Sequence, residues 1–161
     1  MNENRKAFLS MIGWSEATTT SPATLNDGYD VIVTGLGGKP EIFTDYSDHP
    51  FANGRPPKQV NLKGLYSTAS GRYQIMRKDW PHYKALLHLP DFSPNSQDLY
   101  ALQLIRERSA LPLIDGGNVK DAVRRCSNLW ASFEGAGYGQ REHRMEDLVA
   151  AYRRLGGEVH A

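Results

Sequence analysis

The chain has 161 residues, of which 40% are hydrophobic, and its nineteen basic and eighteen acidic side chains leave a formal charge of +1. This size and apolar content predict a single domain over residues 1–161 with one hydrophobic core. A near-neutral chain lacks the basic surface that phosphate contacts require, which argues against a nucleic-acid-binding protein. Because no apolar run is long enough for a signal peptide core or a membrane span, we expect no membrane anchor.

Cys126 is the only cysteine, which excludes an internal disulfide and a cysteine-built zinc site and predicts a small core residue. The first predicted element is an amphipathic helix from Glu3 to Ser15. A stretch of Thr, Ser, Pro, Asn and Asp from Thr18 to Asp27 cannot continue this helix, which must end near Glu16. Its apolar residues recur at helical spacing: Phe8, Leu9, Met11 and Ile12.

A small β-hairpin is predicted next. Tyr29–Thr34 and Glu41–Asp45 are short β-branched and aromatic runs, joined by a turn at Gly35–Pro40. The segment Ser47–Ser70 contains three prolines and two glycines and is long for a connection. This composition predicts an irregular segment, either a functional loop beside a groove or a mobile one.

The rest of the chain is predicted to be helical. One helix places Trp80, Tyr83, Leu86 and Leu87 on a shared face. Ser93 and Pro94 begin the next, whose run Leu99–Ile105 is apolar on nearly every side and predicts a central helix. A short helix from Asn118 to Cys126, a glycine-rich loop at Gly135–Gly139 and a last amphipathic helix from Arg141 to Leu155 follow. Mostly helices with one early hairpin indicate an α+β fold.

Glu16 is the residue best placed for chemistry. It lies seven residues after Leu9 and four after Ile12, so it falls on the stripe of the first helix that faces the core. Partial burial, the negative end of the helix dipole and shielding by Trp14 all favour the protonated carboxyl. Cleavage of a glycosidic bond requires such an acid, although most helix-terminal glutamates are exposed and have no catalytic role.

Four sequence blocks in register resemble the lambda phage endolysin family. They are Trp14-Ser15-Glu16, GYDVIV at Gly28–Val33, FTDYSDHP at Phe43–Pro50 and STASGRYQI at Ser67–Ile75. Similar blocks at Asp91–Asp115 and Arg125–Gln140 extend the resemblance over nearly the whole chain. The turn at Gly35–Pro40 and the segment Phe51–Lys63 are longer than in the family.

The resemblance implies a lysozyme-like fold with a substrate cleft between two lip loops. It implies cleavage of the β-1,4 bond between N-acetylmuramic acid and N-acetylglucosamine, with Glu16 protonating the glycosidic oxygen. The 6-hydroxyl of muramic acid then attacks its own anomeric carbon and gives a 1,6-anhydro product, without a cofactor. It further implies a monomer that waits in the host cytoplasm until a holin opens a route to the periplasmic cell wall.

The position of a second carboxylate separates this chemistry from hydrolysis. Phage lysozymes that use water carry an aspartate nine residues beyond their glutamate, where this chain has Leu25. Asp27 and Asp30 are nearby, and Asp30 fits either a residue that approaches Glu16 across the cleft or a turn residue that bonds backbone amides. A hydrolytic muramidase using Asp30 or an ordered water, and a non-catalytic glycan-binding module, are the alternatives.

Two segments are candidates for sugar binding. Small residues let the backbone of the segment Ser70–Gln74 approach a sugar, and the segment resembles the Gly-x-x-Gln element of soluble lytic transglycosylases. For Arg72 and Tyr73, sugar contact and a tight structural loop are equally plausible. The glycine-rich loop is either a lower lip whose Tyr138 stacks on a sugar or a connection between helices, and the family resemblance favours the lip. We expect no metal site, because the spacing of Asp45, Asp48 and His49 matches no known ligand geometry. The predicted substrate-binding residues are Asp30, Ser70, Gly71, Arg72, Tyr73, Gln74 and Tyr138.

Overall fold

A computed structural model describes residues 1–160. The described chain contains six helices and two two-stranded antiparallel sheets. None of these helices is long and apolar enough to cross a membrane. The elements in chain order are α1 (Glu3–Ser15), β1 (Val31–Ile32), β2 (Glu41–Ile42), β3 (Lys58–Gln59), β4 (Tyr66–Ser67), α2 (Trp80–Leu86), α3 (Pro94–Glu107), α4 (Leu111–Asp115), α5 (Val119–Arg125) and α6 (Met145–Arg154).

The chain divides into two compact units, with the division inside α3. The helical unit comprises Met1–Glu16 and the chain from Ala101 onward, and the hairpin unit comprises Ala17–Tyr100. Each unit is described by itself below. The assignment of residues 1–161 to a single domain stays a prediction.

In the helical unit, α1 packs against α4 and α6. The side chain of Asn2 accepts a hydrogen bond from the backbone N–H of Arg5 and so caps the helix. The helix ends at Ser15, as predicted, and Glu16 donates its backbone N–H to the carbonyl of Ile12 at 2.8 Å. Cys126 is fully buried at the end of α5, which confirms its core role. The buried face of α1 contains Ala7, Phe8, Leu9, Met11 and Ile12.

Helix α6 begins at Met145, later than the predicted start at Arg141. The residues before it are held in other conformations. Glu142 bonds the glycine-rich loop, and His143 donates its backbone N–H to the carbonyl of Ser132 at 2.8 Å. These contacts replace the hydrogen bonds that another helical turn would have formed.

In the hairpin unit, β1 and β2 pair with Val31 opposite Ile42, which confirms the predicted hairpin. The prediction of an irregular Ser47–Ser70 segment was wrong in part, because β3 and β4 form a second hairpin there, with Lys58 opposite Ser67. Its turn is closed by Asn61, whose side-chain oxygen accepts the backbone N–H groups of Lys63 and Leu65. Such an Asx-type turn orders a stretch that lacks strand-like composition.

Two predicted helix faces need correction. In α2 only Trp80 is buried, whereas Leu86 is 50% exposed, so the predicted shared apolar face does not form. In α3 the run Leu99–Ile105 is not buried on every side, because Leu99 is 43% exposed. One face of α3 is buried instead, and it includes polar residues. Its buried residues are Ser96, Gln97, Tyr100, Ala101 and Ile105.

Candidate active site

Glu16 stands at the C-terminal end of α1, where its side chain is half-buried. Burial raises the pKa of its carboxyl, and hydrogen bonds with the side chain and backbone of Ser132 oppose that rise without cancelling it. The direction agrees with the sequence-based expectation of a carboxyl that keeps its proton. The predicted shielding group, Trp14, packs instead on the imidazole of His143, with 4.5 Å between the ring centroids.

Ser132 joins Glu16 to a small polar cluster that the sequence did not reveal. The hydroxyls of Ser15 and Ser132 lie 2.6 Å apart, and both side chains are buried. A ring nitrogen of His143, Nε2, lies 3.1 Å from the carbonyl oxygen of Ser15. The carboxyl of Glu16 is therefore held within the helical unit by residues that follow it far along the chain.

Asp30 is 3% exposed, and its carboxylate bonds its own loop. One oxygen accepts the hydroxyl of Thr24 at 2.5 Å, and the other accepts the backbone N–H of Leu25 at 2.9 Å. These contacts agree with the alternative in which Asp30 is a turn residue that bonds backbone amides. A role of Asp30 toward substrate or Glu16 stays a prediction, which these contacts do not favour.

The segment Ser70–Ile75 lies along β1 in the hairpin unit. Ser70 bridges Ile32 and Ile75, and the backbone N–H of Gly71 bonds the carbonyl of Val31 at 2.8 Å. Gly71 has a φ of +80°, and a Cβ there would collide with the side-chain amide of Gln97, so the position requires glycine. Gln74 has a φ of 52°, a conformation that is uncommon for a residue other than glycine.

Arg72 and Tyr73 point into the hairpin unit. The guanidinium of Arg72 stacks over the ring of Tyr29 at 4.9 Å and donates to Asp27 at 3.1 Å. The hydroxyls of Tyr29 and Tyr73 both donate to one oxygen of Asp98, at 2.8 and 2.5 Å. With Tyr73 2% exposed and Arg72 7% exposed, their contacts support the structural interpretation of this pair.

Within Ser70–Gln74 only Gln74 is partly exposed. Its side-chain NH₂ donates to the carbonyl of Gly71 at 3.1 Å, so the amide closes the loop as well. Ser70 is fully buried, and its hydroxyl donates to the carbonyl of Thr68 at 3.0 Å. The sugar-binding roles of Ser70, Gly71, Arg72, Tyr73 and Gln74 stay predictions.

Tyr138 lies in the glycine loop, defined here as Gly135–Gly139 in the helical unit. It is 57% exposed, and its hydroxyl donates to the carbonyl of Asn128 at 2.6 Å. Its ring is thus accessible and anchored at one end. The carboxylate of Glu142 accepts the backbone N–H groups of Gly135 and Gly137, each at 2.9 Å, and ties the loop to the chain before α6.

Within residues 1–160, no group of three or more His, Cys, Asp or Glu side chains is arranged to hold a metal ion. Asp48 and His49 have other contacts. Asp48 accepts hydrogen bonds from the backbone of His49 and from the indole N–H of Trp80, both at 2.9 Å. Nδ1 of His49 accepts the backbone N–H of Phe51, which leaves Nε2 to donate to the carbonyl of Ile75.

Comparisons with known proteins agree with this architecture. The solved structure of bacteriophage lambda lysozyme complexed with a chitohexasaccharide has a TM-score of 0.90 and 52% identity, covering 99% of this chain and 98% of that one. A second structure of lysozyme from bacteriophage lambda has a TM-score of 0.85 and 50% identity, with the same coverage. The α+β fold is therefore lysozyme-like, and the likeness places the chain among the glycosidases that degrade peptidoglycan.

The sequence comparisons show the family. A family model described as Endolysin matches residues 6–159. The endolysin of Escherichia phage P2 is 62% identical over 156 residues, covering 97% of this chain and 94% of that protein. The endolysin of Escherichia phage lambda is 52% identical over 160 residues, covering 99% and 95%. This chain belongs to the endolysin family, the peptidoglycan-degrading enzymes of phage-induced host lysis.

Proposed function

We propose that this endolysin is a lytic transglycosylase with Glu16 as its single catalytic acid and base. The observation that carries the proposal is the state of the Glu16 carboxyl, whose pKa is raised by burial while Ser132 holds the group in place. A protonated carboxyl is what the departing oxygen of a glycosidic bond requires. The substrate is the β-1,4 bond between N-acetylmuramic acid and N-acetylglucosamine.

The reaction balances with one carboxyl group. Glu16 gives its proton to the glycosidic oxygen as the bond to the anomeric carbon of muramic acid breaks. The oxygen of the 6-hydroxyl of that same sugar then bonds the anomeric carbon, and its proton returns to the carboxylate of Glu16. The enzyme is regenerated, and the products are a 1,6-anhydromuramic acid end and a free 4-hydroxyl on N-acetylglucosamine.

The lack of a second carboxylate at the expected position supports the sugar's own 6-hydroxyl, rather than water, as the group that attacks the anomeric carbon. Leu25 occupies the position of the aspartate in hydrolytic phage lysozymes, and it is 84% exposed. The carboxylate of Asp30 accepts hydrogen bonds from the hydroxyl of Thr24 and the backbone N–H of Leu25. A tethered hydroxyl needs only orientation, and well-aligned intramolecular groups reach effective molarities of the order of 10⁵ M or above.

The products released from purified sacculi test the proposal. Mass spectrometry of the digest is expected to find muropeptides with 1,6-anhydro ends, each lighter by one water than a lysozyme product and without a new reducing group. Glu16→Gln is the matched control. It should keep the melting temperature and still bind glycan, while turnover falls by ~10² to 10⁴ through loss of general acid catalysis.

Three results would contradict the proposal in different ways. Ordinary reducing muramic acid ends would make the enzyme a hydrolase, and loss of activity in Asp30→Asn would then identify the second carboxylate. Substantial lysis by Glu16→Gln would remove Glu16 from the chemistry altogether. Loss of glycan binding with an intact fold would instead give Glu16 a binding role.

The biological setting follows from the same proposal. Lambda lysozyme has been solved with a chitohexasaccharide, and we infer that this chain likewise binds a glycan strand, with Gln74 and the accessible ring of Tyr138 among its contacts. The enzyme acts as a monomer without a cofactor. It stays in the host cytoplasm until a holin gives it access to the cell wall in the periplasm.

A further inference from the structure

A pocket lies entirely within the hairpin unit, beside α2. Its volume is about 720 Å³, inside the ~300–1,000 Å³ range of pockets that bind small ligands. One wall touches the predicted sugar-binding segment, because the ring of His49 bonds the carbonyl of Ile75 at 2.8 Å and Arg77 follows two residues later. The pocket therefore adjoins that segment, and neither Glu16 nor Ser132 is among its lining residues.

The lining of this pocket is strongly cationic for a chain whose net charge is only +1. Arg77, Lys78 and Lys84 line it together with one carboxylate, that of Asp48. Arg77 and Lys78 are exposed, and neither belongs to an ion pair within the described part of the chain. Arg77 is held loosely, by one hydrogen bond of 3.5 Å to the carbonyl of Phe51.

Asp48 does not neutralise Arg77 and Lys78. Its Oδ1 accepts the indole N–H of Trp80 and the backbone N–H of His49, and it lies 3.3 Å from the ammonium of Lys84. Burial raises the pKa of Asp48, but these hydrogen bonds outweigh it and leave the pKa below its ordinary value. These contacts of Asp48 all fall on Oδ1, and none involves Arg77 or Lys78, so both cations remain available to an anion from outside.

The pocket also has an apolar component. Pro81, Ala85 and Leu89 line it beside the cations. A flat basic surface would suit any polyanion, whereas cations around a concave apolar lining suit a small molecule that carries both carboxylates and methyl groups. Short peptides ending in alanine have this chemistry, and the peptide stems of peptidoglycan end in that way.

We propose that this pocket binds the free carboxylates of a peptide stem of peptidoglycan, with Arg77 and Lys78 as the recognising cations. The inference rests on the proposed function, since it supplies a contact to the peptides of the glycan that the enzyme cleaves. Lys84 keeps Asp48 in place, and the apolar lining receives the alanine side chain.

The test uses the isolated, N-acetylated tetrapeptide L-alanyl-γ-D-glutamyl-diaminopimelyl-D-alanine and the full chain, without glycan. Titration followed by amide NMR is expected to shift signals of residues 77–89, with an affinity that weakens as salt is added. The double variant R77Q/K78Q should bind about tenfold more weakly, as expected for lost charge-assisted hydrogen bonds. R106Q/K120Q removes the same charge at exposed positions of α3 and α5 and should bind like the parent chain.

Three outcomes would overturn the proposal. The first is equal affinity for the parent peptide and for the tetrapeptide with all carboxylates amidated. The second is tighter binding of inorganic phosphate than of the peptide. The third is a loss of affinity in the control double variant as large as that in R77Q/K78Q. Because no bond is cleaved in this titration, its result is independent of the product analysis of sacculi. Tetrapeptide binding at this pocket is compatible with either a hydrolase or a transglycosylase.

Discussion

A group that serves first as an acid and then as a base needs a partner that suits both states. The hydroxyl of Ser132 has this property, because it accepts a hydrogen bond from a protonated carboxyl and donates one to a carboxylate. Its second neighbour, the hydroxyl of Ser15 at 2.6 Å, can reverse direction in the same way. The pair gives Glu16 a polar contact on one side while burial keeps its pKa raised.

Removing that hydroxyl should change the pH profile of the enzyme. The hydrogen bonds from Ser132 lower the pKa of Glu16, so Ser132→Ala should raise that pKa further, and the alkaline limb of kcat should move to higher pH. Turnover should fall about tenfold to hundredfold, because the carboxylate formed in the first step loses a charge-assisted hydrogen bond worth roughly 1.5–3 kcal/mol. Rates on solubilised glycan measured across pH would show both effects.

Ser132→Thr is the matched control, since it retains the hydroxyl and should recover most of the turnover and the original limb. An alkaline limb that stays fixed in a folded Ser132→Ala enzyme would show that Ser132 does not position the acid. The sequence alone predicts Glu16 as a candidate acid, because the helical period places it on the buried stripe of α1. It could not identify Ser132, because Ser15 and Ser132 are 117 positions apart and no local pattern joins them.

At the scale of helices and strands, the sequence patterns predicted the elements whose structure depends on neighbouring residues in the chain. Helix α1 has the bounds that its apolar period and the loop after Glu16 indicated, and β1–β2 forms where β-branched runs flank a glycine turn. The β3–β4 hairpin was missed because it is ordered by the side chain of Asn61. The buried face of α3 was missed because Gln97 fills it by bonding the carbonyls of Tyr29 and Phe92. Tertiary contacts, which a periodic pattern does not contain, determine both.

The glycine loop illustrates how one side chain can order an element of low propensity. The backbone N–H groups of Gly137 and Gly135 bond the carboxylate of Glu142 and lower its pKa, so the contact is present at neutral pH and is lost as the pH falls through that lowered value. Gly135, Gly137 and Gly139 all have positive φ values, a conformation that glycine adopts without steric cost. The side-chain contacts that order this loop are those of Tyr138 and Glu142.

Glu142→Ala should loosen the loop at neutral pH. Without the carboxylate, the amides of Gly135 and Gly137 lose their hydrogen-bond acceptors, and their hydrogen exchange should speed up several-fold. The measurement is amide exchange by NMR or mass spectrometry. Glu134→Ala removes an exposed carboxylate from the same segment and should leave these rates unchanged. Equal acceleration in both variants would assign the effect to net charge rather than to the contact.

At the largest scale, the two ends of the chain meet around α4 in the helical unit. Arg5 forms a bidentate ion pair with Asp115, through hydrogen bonds of 2.8 and 2.7 Å. The side chain of Asn4 donates to the carbonyl of Ile114 and accepts the backbone N–H of Glu158. The start of α1 is thus fixed from both sides, and because a helix is stiff, its far end, which bears Glu16, is fixed as well.

Arg5→Gln should therefore destabilise the chain in a pH-dependent way. The hydrogen bonds from Arg5 lower the pKa of Asp115 below its ordinary value of 3.8. A carboxyl with a lowered pKa adds stability above its unfolded pKa and loses that stability as the pH falls through the folded value. With side chains 28% and 37% exposed, solvent screening limits the pair to about 1 kcal/mol. Arg5→Gln should then lower the melting temperature by about 2–4 °C at pH 7.

The difference between Arg5→Gln and the parent chain should shrink as the pH drops below 3.8 and vanish once Asp115 is protonated in both. Thermal unfolding followed by circular dichroism at a series of pH values measures it. Lys6→Gln is the control, because the pair of Lys6 with Glu3 lies on the same helix with side chains 57% and 78% exposed, where an ion pair adds almost nothing. If the two variants melt alike at pH 7, the ion pair of Arg5 with Asp115 adds no measurable stability, and the start of α1 is held by Asn4 and by the apolar face of the helix.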